Sequence, residues 1–256
     1  MQKQTITPKQ LEILKLIYRY RFLNRIQIQT FLNHKNKKNI NTWLKDLTDK
    51  QILGRHYTNT IKENTKPAIY YLIAKSKQFL ITDPDINQDV LKRLYRDKKS
   101  SEKLINHSVQ LADYYFHQLN LLDGRALQLL TKTDLAGRDS LPPNLPDAYI
   151  SIKDQNATKR CFLEIIDEGT PRFILRAKIQ MYIEYFASKA WQGSTNYPFP
   201  DILLLCPNTA IKDFLQKHIT RALEQEPDID IEFFLSTNSP ILWENALADQ
   251  GQTPGE

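Results

Sequence analysis

The sequence predicts an α/β protein in two parts: three helices and a β-hairpin in the N-terminal part, and a mixed sheet flanked by helices in the C-terminal part. Apolar residues keep helical spacing in the first fifty residues and later form strand-like runs. The 256 residues are 41% hydrophobic and 25% charged, which is typical of folded domains. Residues 1–105 carry a formal charge of +13, whereas residues 106–256 carry −7. This asymmetry indicates a basic module with a polyanionic partner, joined to an acidic module.

Capping signals predict where the first two helices begin. Thr7 and Gln10 form a capping-box pattern around Pro8, which suits a first helical position. Asn24 and Gln27 repeat the pattern at the second helix. A third helix is predicted by four apolar residues at helical spacing: Ile40, Trp43, Leu44 and Leu47.

Two strands are predicted after Gly54, over residues 55–58 and 69–73, with a polar turn between them. Three helices followed by a hairpin is the winged helix-turn-helix arrangement, in which the third helix enters the major groove of DNA. The sequence therefore predicts a winged-helix domain that binds double-stranded DNA.

The predicted DNA contacts are cationic and amide side chains, which suit phosphates and base edges. Those of the third helix and the segment before it are Lys35, Lys37, Lys38, Asn41 and Lys45, and those of the hairpin are Arg55, Lys62 and Lys66. The alternative is a solvated basic face that docks another protein.

Four regions are predicted along the chain. Residues 1–83 form the winged-helix domain, and a polar cluster around Pro84 marks its end. Residues 84–103 form a basic linker that either only connects the domains or extends the DNA footprint. Residues 104–247 form the α/β domain. Residues 248–256 are polar and turn-forming, and they are predicted to be disordered.

The C-terminal part shows the predicted order α-β-β-β-α-β-α-β. A long helix begins at Ser101 and ends before Gly124. Short β-like runs and two helical stretches follow. The strands are 127–133, 148–153, 160–167, 201–206 and 229–236, and the helices are 171–189 and 210–223. This order predicts a mixed sheet flanked by helices.

Carboxylates around the second and third strands are candidates for a metal site. A symmetric hairpin turn over residues 154–159 places residue 147 opposite residue 166, and Asp147 then shares a face with Glu164. A slip of one residue pairs Asp147 with Asp167 instead. Either pair suits Mg²⁺, which activates water against a phosphodiester. The structural alternative is that these residues only begin and end strands.

The next helix carries Lys178 and Tyr182 one turn apart. Both side chains are within reach of a phosphate bound near the carboxylates. The alternative for Tyr182 is a place in the apolar core.

Over roughly residues 7–236, the chain resembles the replication-relaxation family of bacterial plasmids and integrative elements. The resemblance rests on the order of elements and on short motifs. These are Asn106-His107-Ser108, Pro146-Asp147, the segment FLEIIDEGT at residues 162–170, and a helix with Lys178 and Tyr182. It implies an accessory protein that binds element DNA near an origin and assists replication or transfer.

The C-terminal part is similar to the PD-(D/E)XK nuclease fold, whose core order is α-β-β-β-α-β. The resemblance gives Asp147 the place of the first acidic residue and Glu164 that of the second. The chain departs from the pattern at Ile166, where the family has a lysine, and Lys178 is the candidate substitute. An inactive scaffold kept for DNA or protein contacts is the alternative.

The main functional hypothesis is an accessory protein that binds duplex DNA, with the acidic domain contacting a relaxase, a replication protein or a second copy as a homodimer. The acidic domain is a poor candidate for a second DNA clamp unless a bound cation offsets its carboxylates. The first alternative is an endonuclease of PD-(D/E)XK type that takes Mg²⁺ as cofactor and uses Asp147, Glu164 and Lys178. The second is a winged-helix transcriptional regulator. None of the seven glycines belongs to a loop of the kind that cradles phosphates, which argues against a regulator that senses a nucleotide.

The sequence also indicates a cytoplasmic protein without a membrane anchor. The two cysteines, Cys161 and Cys206, lie in apolar runs and do not form a disulfide framework. Apolar stretches such as residues 202–206 are far below the roughly 18 residues of a membrane span.

Overall fold

The computed structural model describes residues 5–56, 67–122, 126–153, 158–237 and 244–245. The chain divides into two compact units, Met1–Asp113 and Tyr114–Glu256, so the division falls inside one long helix. Within the described residues, no helix is long and apolar enough to cross a bilayer.

The first unit contains the three predicted helices and a small antiparallel sheet. The helices are α1 (Pro8–Tyr20), α2 (Arg25–Phe31) and α3 (Lys37–Asp49), and the strands are β1 (Leu23–Asn24), β2 (Leu53–His56) and β3 (Ile69–Leu72). Both predicted capping boxes form, at Thr7 and at Asn24. The strand order is β1-β3-β2. The sequence pattern misses β1, because a two-residue strand has no periodicity and exists only through its pairing with β3.

The segment predicted as a linker is folded. After β3 come a 3-10 turn (Ala74–Ser76), α4 (Lys77–Leu80), α5 (Gln88–Arg93) and a second 3-10 helix (Leu94–Lys99). Asp97 is buried and accepts a hydrogen bond from the guanidinium of Arg21. The amide of Asn87 donates to the hydroxyl of Tyr18 at 2.9 Å. These contacts attach the 84–103 segment to α1 and to the residue after it.

The second unit contains a six-stranded mixed sheet in the order β4-β5-β6-β7-β8-β9. Helix α6 (Glu102–Leu121) precedes the sheet. The strands are β4 (Ala126–Thr131), β5 (Ala148–Lys153), β6 (Thr158–Ile165), β7 (Asp201–Leu205), β8 (Phe233–Ser236) and β9 (Glu244–Asn245). Strands β4, β5 and β6 pair antiparallel, whereas β6, β7 and β8 pair parallel. The predicted α/β class and order of elements are confirmed.

Four helices accompany this sheet: α7 (Lys132–Leu135), α8 (Arg172–Ala187), α9 (Ala190–Thr195) and α10 (Thr209–Glu224). The apolar sides of α8 and α10 enter one core with the sheet, through residues such as Leu175, Ile219 and Phe233. Helices α7 and α9 are short and are absent from the prediction, since helices of four and six residues show little periodicity.

The predicted register of the β5–β6 hairpin is wrong by two residues. Ala148 lies opposite Leu163 and Lys153 opposite Thr158, so residue 147 is not opposite residue 166. The reason is that β6 begins at Thr158, two residues before the predicted start, which shortens the connection to residues 154–157. Because side chains alternate with a period of two, this shift leaves Asp147 and Glu164 on the same face.

Candidate functional site

Glu164 lies at the centre of the candidate site and is completely buried. It belongs to β6, which has β5 on one side and β7 on the other, and its neighbour across the parallel pair is Leu204. A carboxylate in such apolar surroundings needs partners for both oxygens. The Tyr182 hydroxyl donates to Oε1 at 2.7 Å, and the Lys178 ammonium donates to Oε2. Both partners come from α8, one helical turn apart.

Asp147 approaches this carboxylate from the residue before β5. Its backbone amide donates to the carbonyl of Leu163 at 3.0 Å, and its Oδ2 accepts from the amide of Ile165 at 2.9 Å. These bonds tie Asp147 to the two residues that flank Glu164. The structure therefore brings together Asp147, Glu164 and Lys178.

Burial and two neighbouring charges shift the pKa of the Glu164 carboxyl. Burial raises the pKa of its carboxyl, and the negative charge of Asp147 raises it further, whereas the charge and hydrogen bond of Lys178 lower it. The pKa of Tyr182 is raised well above its ordinary value by burial and by the charge of Glu164. Tyr182 therefore stays protonated and remains a hydrogen-bond donor to the carboxylate.

The residues of this site offer little to Mg²⁺. Each oxygen of Glu164 already accepts a hydrogen bond, so a cation would compete there with the Lys178 ammonium and the Tyr182 hydroxyl for the carboxylate lone pairs. In the described part of the chain, no three His, Cys, Asp or Glu side chains are grouped so that they could hold a metal ion. Asp147, Glu164 and Asp167 thus form no three-carboxylate set.

Asp167 has a structural position after the end of β6. Its carbonyl oxygen accepts from the amide of Thr170 at 3.2 Å and from the Thr170 hydroxyl at 2.8 Å. These bonds form the turn that leads into α8.

For Tyr182, the sequence allows either a place in the apolar core or a role in the site. Its ring packs near Phe162, with centroids 6.1 Å apart, while its hydroxyl reaches Glu164. The sequence signal for its role in the site is its spacing from Lys178 on a helix that follows the strand of Glu164. That spacing places two donors on one side of α8.

A second candidate site is the exposed side of α3. All five predicted residues, Lys35, Lys37, Lys38, Asn41 and Lys45, are exposed. The opposite side of the helix buries Ile40, Leu44 and Leu47. Lys45 pairs with Asp49 one turn later, but both side chains are well exposed, so this ion pair adds little stability and leaves the ammonium able to exchange partners.

The predicted hairpin contacts are only partly described. Arg55 is exposed on β2. Burial raises the pKa of the Tyr70 hydroxyl on β3, and the charge of Arg55 and its hydrogen bond to that hydroxyl partly offset the effect. Lys62 and Lys66 lie outside the described residues, as does the predicted tail at 248–256.

Comparison with known proteins agrees with the family resemblance. The replication-relaxation family matches residues 14–199. No curated protein matches the chain.

Similar solved structures include the restriction endonuclease FokI, with 12% identity and a TM-score of 0.31 over 92% of this chain and 43% of that chain. They also include FokI bound to DNA, with 12% identity and a TM-score of 0.25 over 92% of this chain and 44% of that chain. The chain thus spans less than half the length of FokI. Because the family match covers most of the sequence, the chain belongs to the replication-relaxation family.

Proposed function

We propose that the protein binds duplex DNA as an accessory factor in the replication of a plasmid or other mobile element, with α3 in the major groove. Family membership supports the replication role. The observation that supports DNA binding is the division of α3 into a buried apolar side and an exposed side that carries Lys37, Lys38, Asn41 and Lys45.

The surroundings of α3 support this assignment. Three helices precede β2 and β3, and the described part of the hairpin carries the exposed Arg55. In winged-helix proteins, the third helix contacts base edges and the hairpin contacts the backbone. Lysines suit phosphates, whereas an amide such as that of Asn41 forms paired hydrogen bonds with adenine.

The acidic unit suits protein contacts in this proposal. Residues 106–256 carry a formal charge of −7, which disfavours a general attraction to DNA. A relaxase, a replication protein or a second copy of the chain is the partner proposed for it.

The test is fluorescence anisotropy of the full chain with a labelled duplex from the origin of its own replicon, and with a scrambled duplex as control. We expect tighter binding to the origin duplex. The logarithm of affinity should fall with the logarithm of salt concentration with a slope of about −4 or steeper, since each phosphate contact contributes about −0.9. Absence of binding at about 50 mM salt, or a slope near zero, would refute the proposed function.

A second function, metal-dependent DNA cleavage, is favoured by one observation: α8 brings Lys178 to Glu164, next to Asp147. The hydrogen bonds of Glu164 argue against it, because a metal would have to compete with the Lys178 ammonium for Oε2. We therefore expect supercoiled plasmid to remain uncut after incubation with the protein and Mg²⁺ or Mn²⁺. Nicking by the wild type that disappears in Asp147→Ala would contradict this expectation and favour the nuclease.

A further inference from the structure

Three arginines and two aromatic rings lie together where α8 packs against α10. The guanidinium carbons of Arg172 and Arg176 lie 4.9 and 5.5 Å from the ring centroid of Phe214. The ring of His218 stacks near Phe214, with centroids 6.4 Å apart and planes 8° from parallel. Arg221 follows His218 by three residues on α10. We call these five residues the arginine–aromatic cluster.

The positive charges of the cluster are not neutralised within the described chain. Arg172, Arg176 and Arg221 are exposed, and none of them forms an ion pair with a described residue. Asp213 and Glu224, on the same helix α10, also form no ion pair with them. Three like charges are therefore gathered on one surface, and their potential favours the approach of an anion.

The ring of Phe214 holds the guanidinium groups of Arg172 and Arg176 in place. A guanidinium over an aromatic face is attracted by the ring and loses side-chain freedom before any ligand arrives. Burial lowers the pKa of His218, and the charges of Arg176 and Arg221 lower it further, so His218 is neutral at pH 7 and contributes a ring surface. The edges of Arg172 and Arg176 remain available for paired hydrogen bonds, which match the oxygens of a phosphate.

We propose that the arginine–aromatic cluster binds the phosphodiester backbone of DNA and is a second DNA contact, located in the acidic unit. The surrounding charge of this unit is negative, so the attraction is confined to the cluster. Phe173, next to Arg172 on α8, is 70% exposed and offers a face on which an unpaired base can stack. The proposal is independent of α3, because it rests only on residues of α8 and α10.

The test compares the full wild-type chain with the triple variant Arg172→Gln, Arg176→Gln, Arg221→Gln. Affinity for labelled double-stranded and single-stranded DNA is measured by anisotropy over a range of salt concentrations. We expect the variant to bind the form of DNA that the cluster contacts about 10-fold more weakly. The salt slope should become shallower by about 2.7 units if that form is duplex, or by about 2.1 units if it is single-stranded.

A matched control removes the same charge elsewhere in the second unit. Lys132→Gln, Arg138→Gln, Lys153→Gln changes three cations that are also exposed. This control should keep the wild-type salt slope within about half a unit. The single variant Arg221→Gln is a second route if the triple variant does not fold, since no described ring packs on this guanidinium. Its expected loss of slope is about 0.9 for duplex or about 0.7 for single strands.

Each outcome decides the proposal. A loss of affinity and slope for either form of DNA, absent from the control, supports it and identifies the form bound. No change for both forms, or an equal change in the control, overturns it. The α3 variant described below is measured in parallel. If only that variant loses binding, the second contact fails while the proposed function stands.

Discussion

Replacing Lys38, Asn41 and Lys45 by alanine is expected to weaken binding to an origin duplex by about 100-fold or more at about 150 mM salt. The three side chains lie exposed on one side of α3, and their removal leaves the buried side of the helix unchanged. A paired contact from an amide to a base is worth about 1–3 kcal/mol. The two lysines together should contribute about 1.8 units of salt slope.

The matched control is Lys9→Ala, Lys15→Ala, Gln78→Ala, which removes two positive charges and one amide from exposed positions on α1 and α4. Lys9 and Lys15 also pair with carboxylates, as Lys45 does. The control should bind the origin duplex like the wild type. Unaltered affinity of a folded α3 variant would exclude α3 as the recognition helix.

Replacing Lys178 by methionine is expected to lower the free energy of unfolding by about 3 kcal/mol at neutral pH. Methionine fills the space of the lysine stem but leaves Oε2 of Glu164 buried without its donor. Urea denaturation followed by circular dichroism measures the change. Tyr182→Phe removes only a neutral donor to Oε1, and we expect a smaller loss of about 1–2 kcal/mol.

The loss of stability in Lys178→Met should depend on pH. In the folded state, burial and Asp147 already raise the pKa of the Glu164 carboxyl, and removal of the ammonium raises it further. When the pKa of a carboxyl is higher in the folded than in the unfolded state, the folded protein loses stability as pH rises toward that pKa. The reason is that the unfolded state ionises more easily. The deficit of the variant should therefore be largest near about pH 8 and smaller near about pH 5.

The double variant Lys178→Met, Glu164→Gln separates the buried charge from a packing effect. Without a carboxylate, no uncompensated charge remains, so the double variant should recover most of the lost stability and show little of the pH dependence. A single variant that is as stable as the wild type, or a double variant with no recovery, would show that the ion pair does not stabilise the fold.

Local signals account for much of the fold that can be predicted from the sequence. The capping boxes at Thr7 and Asn24 involve residues three positions apart, so the chain determines them without help from the tertiary structure. The two sides of α3 follow from its periodicity in the same way. The common face of Asp147 and Glu164 is one of the two pairings that the sequence allows, and the observed shift of two residues preserves it.

Other features depend on residues far apart in the chain, and the tertiary structure decided them. The two-residue β1 exists through pairing with β3, and the 84–103 segment is folded through contacts such as that of Asp97 with Arg21. The direction of Lys178 is set by the packing of α8 on the sheet, which turns its ammonium toward Glu164.

The family, the order of helices and strands, and the positions of the chemical groups along each element can thus be inferred from the amino-acid order alone, since these depend on local spacing. Which groups meet depends on the folded arrangement. Arg172 and Arg176 are simple surface cations in the sequence, and they join a cluster because α10 brings Phe214 beneath them. Such a contact between separate helices has no local pattern, because its energy comes from packing and charge across the folded unit.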